Sequence, residues 1–210
     1  MLRRIPAAVL IAFAAAPVLA QQAPPASPPV EAPRPATQRV ALETSEGVIV
    51  VELETERAPI TAGNFLRYVD NHRFDGITFY RVVKVAEGYG LVQGGPRNEP
   101  RRMYPPIAHE PTTTTGLTHV DGAISMGRAT PGTAAGDFFF TVGAIPAMDA
   151  HPDQPGDNAG YAAFGHVVEG MDVLRRILDM PTSATEGPPG MQGQMLAAPV
   201  RIVTAKRVTP

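Results

Sequence analysis

The residue types that most enzymes use for covalent or metal chemistry are either missing from this sequence or spaced unsuitably. There is no Cys, so thiol catalysis and cysteine–zinc sites are excluded. The five histidines lack metal-ligand spacing, and we interpret them as surface or structural residues. No convincing Ser-His-Asp set accompanies them, which argues against a hydrolase. These histidines are His72, His109, His119, His151 and His166.

Arg81 is the strongest remaining candidate for a chemical role. It lies in the strand-like segment Ile77–Val85, and its forked guanidinium can donate to a ligand while a neighbouring side chain holds it. Taken alone, an arginine in a strand is more often a solvated surface residue. The Phe138–Phe140 triplet, taken alone, is more often part of a core. Both interpretations depend on the pattern around them.

Composition argues against a nucleic-acid partner and a bound cofactor. The chain has 18 Lys+Arg against 20 Asp+Glu, and its basic residues are scattered. Asp153, Asp157 and Asn158 offer oxygen ligands in one loop, but a polar Pro/Gly-rich loop is the simpler interpretation. We therefore predict no metal site and no cofactor.

The pattern of apolar residues predicts many strands and two helices. Two segments flank the turn Ser45-Glu46-Gly47 as a hairpin, and helices are predicted from Pro59 to Val69 and over Met171–Met180. This content indicates an antiparallel barrel or sandwich. The predicted strands are Arg39–Thr44, Val48–Glu54, Ile77–Val85, Gly90–Gln93, Gly122–Met126, Phe138–Val142, Ala162–Val168 and Val200–Val208, with Gly/Pro loops over 94–115, 144–161 and 181–198.

The first twenty residues are typical of a signal peptide. Arg3 and Arg4 precede an apolar run, Ile5–Leu19, and small residues precede a cleavage point before Gln21. The alternative is a transmembrane anchor, but the run is short and contains two prolines. We expect residues 1–20 to be removed, 21–37 to be a flexible Pro/Ala-rich linker, and 38–210 to form the domain. The expected location is periplasmic or secreted, without membrane association after cleavage.

Six ordered segments resemble the cyclophilin-type peptidyl-prolyl isomerase family. The resemblance runs from about Val40 to Val208 and implies a mainly β fold, a closed eight-stranded antiparallel barrel capped by two α-helices. It also implies catalysis of Xaa-Pro isomerisation in proline-containing polypeptides. The segments are APITAGNF at 58–65, FDGITFYRVV at 74–83, LVQGG at 91–95, GAISMG at 122–127, GDFFFT at 136–141 and FGHVVEGMDV at 164–173.

The implied reaction needs no nucleophile, metal or redox group. The amide resists rotation by about 18–20 kcal/mol because nitrogen shares its lone pair with the carbonyl. A catalyst therefore needs a donor that favours a localised nitrogen lone pair and an apolar seat for the proline ring. An arginine beside apolar side chains meets both needs.

The resemblance assigns roles to particular residues. Arg81 matches the catalytic arginine, Gln93 the glutamine that positions it, and Phe139 the base of the proline pocket. Phe138 and Phe140 should then point the other way, into the barrel core. The remaining predicted substrate-binding residues are Leu91, Gly127, Asp137, Met148 and Tyr161.

Several groove positions depart from the family pattern. Gly90 replaces a pocket aromatic, and Asp137 and Arg128 stand where the family commonly has Gln and Asn. There is no Trp, so the indole at the groove rim, which also contributes to cyclosporin binding in the family, is missing near Ala147. Tyr161 lies near the family's groove histidine. Asp137 either places negative charge beside the bound peptide or pairs with Arg128.

Two functions of different class remain open at this point. The first is an exported isomerase, which Arg81 and Gln93 favour. The alternative is a proline-binding, chaperone-like interaction module with little turnover, which the altered groove favours. The sequence leaves the oligomeric state open, and we expect a monomer.

Overall fold

The computed structural model describes residues 35–97 and 99–209. The predicted signal peptide lies outside the described residues, as does the predicted linker except for residues 35–37. No helix within the described ranges is long and apolar enough to cross a bilayer.

The described residues form a closed antiparallel barrel. Eight strands pair in the order β1-β2-β7-β5-β6-β4-β3-β9, and pairing of β1 with β9 closes the ring; β8 pairs with β9 alone. This confirms the predicted eight-stranded antiparallel barrel. The strands are β1 (Gln38–Thr44), β2 (Gly47–Leu53), β3 (Thr78–Ala86), β4 (Tyr89–Gly95), β5 (Ala123–Met126), β6 (Phe138–Val142), β7 (Ala163–Glu169), β8 (Thr182–Ser183) and β9 (Met195–Val208).

Aromatic side chains fill the barrel. Phe79, Phe138, Phe140 and Phe164 are fully buried, and Phe138 meets the Phe79 and Phe140 rings edge-on. Burying each such ring stabilises the fold by about 1.5–3 kcal/mol. Because side chains alternate along a strand, Phe138 and Phe140 face inward as predicted, and Phe139 between them faces outward.

Three α-helices, rather than the predicted two, accompany the barrel. They are α1 (Pro59–Asp70), α2 (Thr112–Thr115) and α3 (Met171–Leu178), with a 3₁₀ helix at Pro146–Met148. The short α2 lies in a segment that was predicted to be a loop. It follows Pro111 and ends at Gly116, whose left-handed conformation stops it after one turn. The sequence of four threonines in α2 has no helical periodicity, so this helix could not be predicted.

The last strand begins earlier than the predicted Val200. It starts at Met195, and Met195 pairs with Arg81 of β3. The earlier start was not predicted because it is followed by exposed Ala197, Ala198 and Pro199, and alanine and proline are poor strand formers. The early start brings the residue before the strand, Gln194, next to β3, where its carbonyl accepts the Val82 N–H at 2.8 Å.

Candidate active site

Four register partners form a row across neighbouring strands of the barrel. Arg81 of β3 is opposite Gln93 of β4, Gln93 is opposite Phe139 of β6, and Phe139 is opposite Ser125 of β5. Directly opposed residues point to the same face of a sheet. The barrel therefore brings the predicted catalytic pair and the predicted base of the proline pocket together on its outer face.

The Arg81 guanidinium is held by two glutamines. Nη1 donates to Gln93 Oε1 at 2.8 Å, which is the contact that the resemblance implies. Nε and Nη2 both donate to Gln194 Oε1, at 2.9 and 2.6 Å. Gln194 was missed, since it lies in a Gly/Pro-rich segment with no strand or helix periodicity. The only sequence signal was a glutamine just before an apolar pair.

Neither partner of Arg81 carries charge. Among the described residues Arg81 makes no ion pair with a carboxylate. Burial lowers its pKa from the ordinary value, while Tyr80 and Tyr161 raise it by a smaller amount. The guanidinium stays charged at neutral pH. Its positive charge is thus fixed in place but not neutralised, as a donor to a polar substrate group requires.

The apolar part of the site is built around the Phe139 ring. The ring is 4% exposed, meets Tyr161 edge-on at 5.4 Å and stacks on His119 at 5.9 Å. Leu91 lies diagonally across the β4–β6 pair on the same face. The Met148 carbonyl accepts the Tyr161 N–H at 2.9 Å. This bond ties the 3₁₀ helix to the apolar side chains around Phe139.

A pocket of about 590 Å³ opens beside the Arg81–Gln93 pair. The predicted site residues therefore fall into two groups, a polar one along this pocket and an apolar one around Phe139. The Gly127 N–H donates to the Asp137 carbonyl at 2.8 Å, so this N–H is not available to a bound peptide. The pocket lining includes Arg81, Gln93, Gly127, Asp137, Met191 and Met195.

Asp137 lies in this pocket and is not paired with Arg128. Its Oδ1 accepts the Arg97 backbone N–H at 3.0 Å, and its carboxylate lies near the Tyr80 hydroxyl. Burial raises the pKa of Asp137, partly offset by the Arg97 and Tyr80 contacts. Burial likewise raises the pKa of Tyr80, with the Asp137 charge adding to the shift.

Arg128 instead anchors the loop before β7, so the predicted alternative of an Arg128–Asp137 pair is wrong. Its two Nη atoms donate to both carboxylate oxygens of Asp157, at 2.7 and 3.0 Å. Nε and Nη2 also donate to the Gly160 carbonyl, at 2.8 and 2.6 Å. The guanidinium lies 4.9 Å from the centre of the Tyr161 ring. These contacts join residues that are far apart along the chain, so the local sequence does not indicate them.

Gly90 does not lie where the resemblance placed it. A Cβ at Gly90 would come within 2.0 Å of the Val83 carbonyl and 3.2 Å of Leu178 in α3. The position therefore faces away from the groove, and a larger residue would clash there. Tyr89 is on the Leu91 face and packs against Gly143.

A Ser-His-Asp chain is present, contrary to the sequence analysis. His119 Nδ1 lies 2.7 Å from Asp149 Oδ1, and Nε2 lies 2.9 Å from Ser125 Oγ. Ser125 is 0% exposed and lies directly opposite Phe139 in the β5–β6 pair. A substrate cannot reach this hydroxyl, so the chain is a buried structural network and offers no hydrolytic centre.

Comparison with known proteins shows the family to which the chain belongs. The family model "Cyclophilin type peptidyl-prolyl cis-trans isomerase/CLD" matches residues 39–206. A peptidyl-prolyl cis-trans isomerase of Acinetobacter baylyi is 33% identical over 175 residues, covering 81% of this chain and 86% of the relative. Peptidyl-prolyl cis-trans isomerase A of Dickeya dadantii is 35% identical over 147 residues, covering 68% and 72%.

A solved structure agrees at the level of fold. The Cryptosporidium parvum cyclophilin type isomerase, crystallised in the presence of the dipeptide Ala-Pro, superposes with a TM-score of 0.62 at 20% identity. The superposition covers 82% of this chain and all of that one. The family match spans the whole barrel, from β1 to β9, and the chain belongs to the cyclophilin-type peptidyl-prolyl cis-trans isomerases.

Proposed function

We propose that this isomerase acts on exported polypeptides, with Arg81 as the donor to the rotating amide and Phe139 as the seat of the proline ring. One observation carries the proposal. A charged guanidinium, fixed by two neutral amides, lies in the same cross-strand row as an outward-facing apolar ring.

The chemistry follows from the electronic structure of the amide. Planarity depends on the nitrogen lone pair being shared with the carbonyl, and twisting the bond localises that pair on nitrogen. A donor near the nitrogen then stabilises the twisted form more than the planar one. Only such differential stabilisation accelerates the reaction. Arg81 supplies the donor, and the Phe139 face holds the ring while the preceding carbonyl rotates.

The leader sequence supports the proposed location. Residues 1–20 combine a basic start, an apolar run and small residues before Gln21. Isomerisation of Xaa-Pro bonds takes tens to hundreds of seconds uncatalysed, so newly exported chains are suitable substrates. Fractionation of cells that express the full chain and a variant lacking residues 2–20 tests this. Retention of both proteins in the cytoplasm would contradict export.

The binding-module alternative has one observation in its favour. Arg128 stands where the family commonly has Asn, and its guanidinium is hydrogen-bonded to Asp157 and Gly160. The groove therefore has no side-chain amide at this position. The altered groove favours a module with little turnover, but the Arg81 donor that catalysis needs is intact.

An isomerisation assay with Xaa-Pro peptides separates the two functions. Acceleration by the purified protein, unchanged by EDTA and without nucleotide, is expected of the isomerase. Binding of the same peptides without acceleration would favour the module.

A further inference from the structure

Gln194 is fixed by its backbone beside the catalytic strand. Its carbonyl accepts the Val82 N–H at 2.8 Å, and its own N–H donates to the Met191 carbonyl at 3.1 Å. The next residue, Met195, is the register partner of Arg81. The end of the connection between β8 and β9 is therefore hydrogen-bonded to β3 next to Arg81.

The side chain of Gln194 constrains one edge of the guanidinium. Its Oε1 accepts from both Nε and Nη2, at 2.9 and 2.6 Å, while Gln93 Oε1 accepts from Nη1. A guanidinium held at one atom can still swing about that contact. Contacts at two separate places fix its plane.

These contacts also decide which donors remain for a substrate. Arginine has five N–H donors, and the three hydrogen bonds use one each on Nε, Nη1 and Nη2. One N–H on Nη1 and one on Nη2 are left, and no described residue accepts them. Because the Nε donor is used by Gln194, the terminal nitrogens are the ones that face a ligand.

The neutral amide matters as much as its position. A carboxylate at this place would form a two-point ion pair and offset the guanidinium charge. Gln194 Oε1 accepts the same two bonds without carrying charge. The positive charge of Arg81 thus stays available to the substrate, in a half-buried site where it acts more strongly than in water.

We propose that Gln194 is a second positioning residue for the isomerase reaction, setting the Arg81 plane so that the free Nη1 and Nη2 donors face the bound amide. This rests on the proposed role of Arg81. The chain after β8 then contributes directly to catalytic geometry, although it lies far from Arg81 in sequence.

Kinetics of Gln194→Ala provide the first part of the test. We expect kcat to fall by up to about 100-fold, the effect of a catalytic group misplaced by about 1 Å, with KM changed less than about 2-fold. The matched control is Gln192→Ala, an exposed glutamine of the same segment, which should leave both constants unchanged. An unchanged kcat in Gln194→Ala would overturn the proposal.

A double-mutant cycle separates positioning from general structural support. In an Arg81→Ala background, Gln194→Ala should cause no further loss, because its target is gone. Equal losses in both backgrounds would overturn the proposal and show a structural role. If Arg81→Ala alone kept full activity, the proposed role of Arg81 would fail instead, so the two failures are distinguishable.

A spectroscopic readout does not depend on activity. The Arg81 Nε–H signal in ¹⁵N NMR should be protected from exchange in wild type and in Gln93→Ala, and lose protection in Gln194→Ala. The conservative Gln194→Glu keeps an accepting oxygen and should retain protection, which also guards against a misfolded alanine variant. Loss of protection in the Glu variant, or protection that persists in the Ala variant, would contradict the proposal.

Discussion

Arg128 and Asp157 form a two-point ion pair between the end of β5 and the loop that precedes β7. The Arg128 side chain is only 5% exposed, whereas that of Asp157 is 44% exposed. With its added bonds to the Gly160 carbonyl, Arg128 holds the chain just before Tyr161. The wall of the groove that Tyr161 forms thus depends on Arg128, a residue that departs from the family pattern.

Replacing Arg128 by Ala should therefore loosen this wall. Hydrogen bonds from a charged donor, such as those from Arg128 to the Gly160 carbonyl, are worth about 1.5–3 kcal/mol. Their loss should lower the free energy of unfolding by about that amount and raise KM. Denaturant unfolding and peptide kinetics measure the two effects. The control Asp157→Asn keeps the Gly160 contacts and should cause a smaller loss. A wild-type KM and stability in Arg128→Ala would show that the wall holds without it.

Asp137 should give the pocket a preference for a basic residue next to proline. Since Arg128 does not neutralise it, the Asp137 carboxylate remains able to attract a substrate Lys. An attraction of about 1 kcal/mol for Lys and a similar repulsion for Glu together correspond to a roughly 30-fold preference for Lys over Glu before proline. Rates for the two peptides with wild type and Asp137→Gln measure it, with Asp121→Asn as a control outside the pocket. The same preference in wild type and Asp137→Gln would exclude this role.

The preference should also depend on pH in a defined direction. The carboxylate is charged above its pKa, and protonation as pH falls through that pKa removes the attraction. Because burial raises the pKa of Asp137, the preference should fade at a higher pH than an ordinary aspartate would predict. A Lys preference that persists unchanged to pH 3 in a folded protein would contradict this.

The predictable parts of the structure are those that depend on periodicity and ordered motifs. Phe138 and Phe140 face inward and Phe139 outward because strands alternate, and the Arg81–Gln93 contact follows from strand pairing that the resemblance implies. Gln194 could not be predicted, because its role depends on where a long Gly/Pro-rich segment returns to the barrel.

Polar contacts between residues far apart along the chain could not be predicted from the sequence either. The Arg128–Asp157 pair and the Ser125–His119–Asp149 chain join residues on different loops and strands, and no local spacing marks them. Gly90 shows the opposite error. Its alignment with a groove aromatic was inferred from order along the chain, whereas strand alternation places it on the face opposite to Leu91, near Leu178 of α3.

Cyclosporin should bind weakly, because the chain has no Trp and exposed Ala147 lies at the rim near Tyr161. Loss of a buried aromatic contact commonly costs 2 kcal/mol or more, about 30-fold in affinity. Ala147→Trp should therefore tighten binding by about 10-fold or more in a calorimetric titration. Ala144→Trp, an exposed alanine of the same loop, is the control. Nanomolar affinity in wild type would mean that other residues replace the indole.

The most direct measurement compares kcat/KM for Xaa-Pro isomerisation in wild type and Arg81→Ala, with exposed Arg101→Ala as the control and unfolding curves to verify the fold. Removing a donor that acts in the transition state typically costs 10²–10³-fold. We expect a loss of about that size in Arg81→Ala and none in Arg101→Ala. Equal kcat/KM values for wild type and a folded Arg81→Ala would show that the guanidinium does not drive the reaction.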